Sequence, residues 1–182
     1  MTTATTTATE PRIYVASLSD YNSGRLHGAW IGLEGKSEDD VMNEVNAMLA
    51  KSKEDVAEEY AIHDHEGFEG LRIEEYTGIA EVVRIAQALE EHADNAEAFG
   101  FYAGDVGLDY ALDHFEEAFS GEWDSEKEFT ENLVDSLGYL EQMPEFLRNY
   151  FDYEAFQHDL FIGDYSSEKL SNGNVAVFRR DV

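Results

Sequence analysis

The chain has no cysteine in its 182 residues, so neither a disulfide framework nor a thiolate metal site is open to it. That absence is compatible with a cytoplasmic setting. Cations are scarce as well: 12 Lys and Arg stand against 40 Asp and Glu, a formal net charge of −28 with a pI near 4.2. Such a surface is unsuited to direct binding of DNA, RNA or an anionic membrane, because those partners are held by Lys and Arg that neutralise phosphates. A charged partner is therefore expected to be basic. No run of about 18 apolar residues is present to span a bilayer, and "MTTATTTATEP" lacks the positive n-region and apolar h-region of a secretory signal. The expectation is a soluble cytoplasmic protein with no membrane partner and a flexible lead over residues 1–11.

What is present is core material. Acidic disordered chains are poor in aromatics, whereas this one carries 11 Phe, 10 Tyr and 2 Trp and is 43% hydrophobic. An α+β fold in three small units is expected. In an N-terminal α+β domain, 12–66, "RIYVASLSDYNSGRLHGAWIGL" reads as two strands around a turn. Ser37, three before Asp40, marks a helix start, and Val41, Val45, Met48 and Leu49 follow at helical spacing. A third strand is expected around Tyr60 and Ile62. A central helical domain, 67–118, has one apolar stripe at Ile79, Val82, Val83, Ala86 and Leu89, and another at Leu108, Ala111, Leu112, Phe115 and Phe119. The C-terminal α+β domain, 119–182, opens with Ser125 and Glu128 in a capping-box pattern, and Phe129, Leu133 and Leu137 line one helix face up to Gly138. Pro144 and Asp152 suit the starts of two further helices, and 159–165 and 174–180 read as a closing hairpin.

The acidity is not a tail. Residues 1–66, 67–118 and 119–182 carry net charges of −8, −11 and −9. Carboxylates recur three or four apart at Asp105, Asp109, Asp113 and Glu117, after Glu90, Glu91, Asp94 and Glu97. On a helix each such like-charge pair costs a few tenths of a kcal/mol, which folding alone does not favour. At the charge density of duplex DNA, 28 charges correspond to roughly 48 Å, or about 14 base pairs, and a symmetric dimer would double that. One reading is a decoy whose carboxylates stand in for phosphates in a basic cleft. The other is a solvated face on a halophilic acidic interaction protein, which would respond to low salt by unfolding or changing its oligomeric state.

Catalytic patterns are sparse. "IHDHEGF" puts His63 and His65 on one face of a strand with Glu66 beside them, the basis of an alternative reading as a metal-dependent hydrolase. Two histidines and one acid leave a metal undercoordinated, and histidines 27, 92, 114 and 158 have no ligand spacing. "GDVG" lacks a phosphate-binding lysine, and there is no G-x-S-x-G or complete EF-hand loop. No cofactor is expected, and the reading is a protein that is not an enzyme.

The stretch "LGYLEQMPEFLRNYFDYEAFQHDL" is crowded with rings and carboxylates, and most of its rings are expected in the core, with a remainder exposed for a subunit contact. It resembles the antirestriction segment of the ArdA antirestriction proteins, and "RIYVASLSDYNSGRLHGAWIGL" and "EEYAIHDHEGF" resemble that family's N-terminal region in the same order. The likeness covers roughly residues 12–180. It implies an elongated three-part homodimer of mobile genetic elements that mimics bent duplex DNA. Such a protein inhibits type I restriction-modification enzymes by occupying the DNA groove of the methyltransferase core. Residues 131–147, "ENLVDSLGYLEQMPEFL", match the antirestriction motif, which implies Leu133, Leu137, Tyr139, Leu140 and Met143 in self-association or the packing behind it. Phosphate-substitute roles fall to Glu90, Glu91, Asp94, Glu97, Asp105, Asp109, Asp113, Glu116, Glu117, Glu122, Asp124, Glu126, Glu128 and Glu131.

Overall fold

A computed structural model describes residues 10–182, so the expected flexible lead lies outside the described residues except for Glu10 and Pro11. Eight α-helices and two three-stranded antiparallel sheets make up the described chain, an α+β fold as the residue patterns require. It divides into two compact units, the first ending at Ala96 and the second beginning at Glu97. Among the described residues no helix is long and apolar enough to cross a membrane.

In the first unit the sheet order is β2-β1-β3, with β1 at Arg12–Ser17, β2 at Gly28–Gly32 and β3 at Tyr60–Glu66. Ile13, Val15 and Ala16 of the central strand are buried, and Ile13 lies between Ile31 and His65 across its two neighbours. The expected hairpin is present, but its connection folds into a short helix, α1 (Leu18–Asn22), capped by the Ser17 hydroxyl. Helix α2 (Glu38–Leu49) opens with a reciprocal capping box: Asp40 N–H donates to Ser37 Oγ at 3.2 Å and Ser37 N–H donates to Asp40 Oδ2 at 3.0 Å. Its buried residues are Val41, Val45, Met48 and Leu49, those the helical spacing selects. Helix α3 (Ile79–Glu91) buries the whole expected stripe and adds Ile85 and Ala88.

Among the described residues Asp20 is the one fully buried acid, at 2% exposure. Its Oδ2 accepts from Ser52 Oγ at 2.5 Å and its Oδ1 from Arg25 Nε at 3.4 Å, while Arg25 also pairs with Glu54. The turn after α2 is thereby tied to the β1–β2 connection. The Ser52 hydrogen bond, helped by Ser17 and Arg25, holds the carboxyl below its ordinary value of 3.8 against the opposing effect of burial. A depressed folded value stabilises the fold fully above the unfolded value and is lost as pH falls through the folded one. Asp20→Asn is accordingly expected to lower the melting temperature at neutral pH, with the difference from wild type shrinking below about pH 4. A difference that stays constant down to acid pH would show that the carboxylate charge plays no part.

In the second unit α4 (Ala96–Val106) and α5 (Leu108–Ala118) precede β4 (Phe119–Trp123), then α6 (Glu126–Ser136), α7 (Glu145–Arg148), α8 (Tyr153–Gly163), β5 (Tyr165–Lys169) and β6 (Val175–Arg179). The order is β4-β6-β5, and Ala176, Val177 and Phe178 of the middle strand are buried. Phe129, Leu160 and Val177 form a core cluster covered by Trp123, Leu133, Phe156, Phe161, Tyr165 and Val175. A second aromatic group joins Phe99, Tyr102, Phe115, Phe119 and Phe178, with Phe115 stacked on Phe119 at 5.1 Å.

Three local expectations are corrected here. Phe119 does not end α5 but opens β4 opposite Phe178, because its ring stacks on Phe115 equally well from an extended backbone. Residues 159–163 are helical, not strand: once Asp152 caps α8, the run Leu160, Phe161, Ile162 continues through buried, half-buried and exposed positions to Gly163. At α6 Ser125 does accept from Glu128 N–H, but the Glu128 carboxylate accepts from Asp124 N–H at 2.8 Å, so the box closes one residue early. Strand β4 itself escaped the sequence pattern, since it carries a bulge at Gly121, whose φ of 102° only glycine adopts freely.

Candidate functional site

The nominated carboxylates differ in exposure. Glu91, Asp94, Asp105, Asp109, Asp113, Glu116, Glu117 and Asp124 are exposed. Asp109, Asp113, Glu116 and Glu117 share α5, which buries Ala111, Phe115 and Ala118 on its opposite face. Asp105 belongs to the last turn of α4 and not to the same helix, because Gly107 at φ 92° breaks the chain between them. A carboxylate there opposes the helix dipole, and no basic residue occupies that turn.

Other nominated acids accept internal hydrogen bonds or, for Glu131, join an ion pair. Glu97 is half-buried and accepts from both N–H and Oγ of Ser171 at 2.8 Å. Glu126, also half-buried, accepts from Ser167 Oγ at 2.6 Å and Gln157 Nε2 at 3.1 Å. Glu122 accepts from the side chains of Asn172 and Asn174 at the β5–β6 turn. Glu90 accepts from Gly35 N–H, Glu128 from Asp124 N–H, and Glu131 pairs with Lys127 at 3.7 Å. Of these six only Glu97 and Glu126 are half-buried, and side-chain identity alone did not distinguish them from the exposed acids.

The aromatic segment departs most from expectation. Its composition predicts mostly core rings, yet none of those between 139 and 156 is fully buried: Phe146 is 73% and Tyr150 81% exposed. The cause is local. After Gly138, at φ 63°, the chain runs through turns to Pro144, and α7 is a single turn that has no second turn to complete a packed face. Arg148 folds back to donate to Met143 O and Glu141 O, both at 3.2 Å, and so braces the segment. Of the five motif residues, Leu133 packs on the core cluster, Leu140 and Met143 are half-buried, and Leu137 and Tyr139 are exposed. Leu133, Leu137 and Tyr139 line one cleft of about 540 Å³ with Phe156 and Tyr165, while Arg179 and Asp181 pair at its edge. Exposed Phe146, Tyr150 and Ile162 were missed as surface residues, and the shortness of the Pro144–Arg148 turn was the one signal for the first two.

The histidine pair lies on β3 as expected, but each ring has an aromatic neighbour: His63 is edge-on to Tyr21 at 4.9 Å and His65 edge-on to Phe68 at 5.6 Å. His63 is the extra residue of a bulge between Ile62 and Asp64. Among the described residues no group of three or more His, Cys, Asp or Glu is placed to hold a metal ion.

Comparison with known proteins bears on this surface. No curated protein matches the chain. The family model described as antirestriction protein (ArdA) matches residues 13–174, from the first buried residue of β1 to the turn before β6. The chain belongs to the ArdA family of antirestriction proteins, with the antirestriction function and the engagement of restriction enzymes that membership implies.

Proposed function

We propose that the protein is a DNA mimic that inhibits type I restriction-modification enzymes by occupying the DNA groove of their methyltransferase core, without catalysis. The observation that carries this reading is the rigid exposed carboxylate array of α5, spaced three and four residues apart with no cation among its members, on a chain of net charge −28. Long-range attraction speeds encounter with a basic groove, and fixed carboxylates then meet the Lys and Arg that hold phosphates. The protein acts in the cytoplasm and as a homodimer, with Leu137, Tyr139 and the exposed rings of the motif segment in the contact and Leu133 behind it. Exposed aromatics on that segment support this placement.

The test is competition. Stoichiometric protein is expected to displace a labelled duplex from a purified type I methyltransferase core, with displacement weakening steeply as salt rises. Cores that keep their DNA at excess protein and low salt would reject the mimic and return the charge to solvation.

A further inference from the structure

Side chains alternate across a strand, so the sheet of the first unit has two faces. Ile13, Val15 and Ile31 lie on the buried side. The other face stays open: Arg12, Trp30, Gly32 and Asp64 are exposed and Tyr14 is half-buried. Strand register sets Trp30 and Asp64 on either flank of Tyr14, and Gly32 and Glu66 on either flank of Arg12.

These side chains are held as one surface. The Trp30 ring lies 5.6 Å from that of Tyr14, and the Arg12 guanidinium stacks over it at 4.7 Å. Arg12 Nε donates to Glu66 Oε2 at 2.8 Å, which fixes the guanidinium in place. Tyr14 lies over Gly28, where a Cβ would stand 2.8 Å from its Cζ and hydroxyl. At Gly32 a Cβ would meet nothing within 4 Å, so the floor beside Arg12 is open. A surface of tryptophan, tyrosine and arginine is thus ordered before any partner arrives, and these are the residue types that dominate binding contacts.

We infer that this sheet face is a docking surface for a basic protein partner that also offers apolar side chains. Charge decides the occupant. The Asp64 carboxylate accepts from His65 N–H at 2.8 Å, and among the described residues no Lys or Arg pairs with it. Arg12 is already committed to Glu66, so a second copy of the chain would bring this face no free cation for Asp64. Phosphates of nucleic acid or lipid would meet a net charge of −8 over residues 1–66. A Lys or Arg of the partner satisfies Asp64, while its apolar groups seat on Trp30 and the floor at Gly32. Unlike a carboxylate array, an aromatic contact is not screened by salt. That the partner is the inhibited enzyme rests on the function proposed above.

The experiment is a calorimetric titration of a purified type I methyltransferase core with the full chain, at low and at moderate salt. Trp30→Ala and Gly32→Tyr should each weaken binding about tenfold or more at both salts. Neutralising the α5 carboxylates should instead matter less as salt rises. Trp30→Ala also strips packing from Tyr14, so Gly32→Tyr, made where the structure is open, decides the matter if Trp30→Ala melts early. Wild-type affinity in Gly32→Tyr overturns the docking surface and leaves the mimic reading standing. Weakened self-association of Gly32→Tyr in sedimentation equilibrium also overturns it, because the face then belongs to a second copy. If wild type binds the core without displacing DNA, the mimic reading fails while the two variants still decide the face. A wild type that binds no core overturns both.

Discussion

Replacing Asp105, Asp109, Asp113, Glu116 and Glu117 together by their amides is expected to weaken binding to a type I methyltransferase core about 100-fold, while any one replacement weakens it less than about fivefold. Each exposed ion pair is worth about 0.2–1 kcal/mol, so one is a small loss and five together a large one. Net charge falls from −28 to −23, and the salt dependence of displacement should become shallower with it. The fold should not suffer. Asp113 and Glu117 are like-charge neighbours one turn apart on α5, so neutralising them relieves repulsion, which offsets the loss of the helix-dipole contribution of Asp109 in the first turn, and the melting temperature should move little. If one of the five substitutions accounts for nearly the whole loss, inhibition depends on a discrete contact and not on a charge field.

The second large effect is expected at the motif segment. Changing Phe146 and Tyr150 together to serine should weaken self-association at least about 100-fold, as central aromatic contacts commonly contribute about 2 kcal/mol or more each. Both side chains are more than two-thirds exposed, so the subunit has little packing to lose and its melting temperature should barely move when measured as monomer. Leu133→Ser is the contrasting case. Leu133 covers the Phe129, Leu160 and Val177 cluster, and a hydroxyl there should lower the melting temperature by several degrees, whatever it does to the dimer. Sedimentation equilibrium and thermal melting on the two variants separate contact from support. An unchanged dimer in the double variant would move the contact away from α7.

Much of the fold was legible because its signals were local. Ser37 and Asp40 closed a capping box, Asp152 capped α8 through Ala155 N–H at 3.0 Å, and the stripes of α2 and α3 were buried residue for residue. These depend on spacing within one element, which the backbone geometry of a helix translates directly into a face. Where a neighbouring element made the choice, local reading failed. Leu160, Phe161 and Ile162 suit a strand by composition, yet Leu160 packs beside Phe129 and Val177 from a helix. Phe119 fitted the α5 stripe, but pairing with Phe178 drew it into the sheet.

The candidate surface divides in the same way. Net charge, its spread along the chain and the absence of a complete catalytic pattern follow from residue counts and spacing, which no conformation alters. The family likeness follows from residue order, and the match over 13–174 bears it out. Tertiary structure alone decided which acids face water and which are structural. Glu97 and Asp94 look alike in sequence, but only Glu97 meets Ser171, 74 residues away. Tyr102 and Tyr150 differ by the same logic: one has Phe178 from β6 against its ring, while the other follows the single turn of α7 and is 81% exposed. Charge is a sum over residues and can be read from a list. Exposure and pairing arise between residues distant in sequence, so only packing determines them.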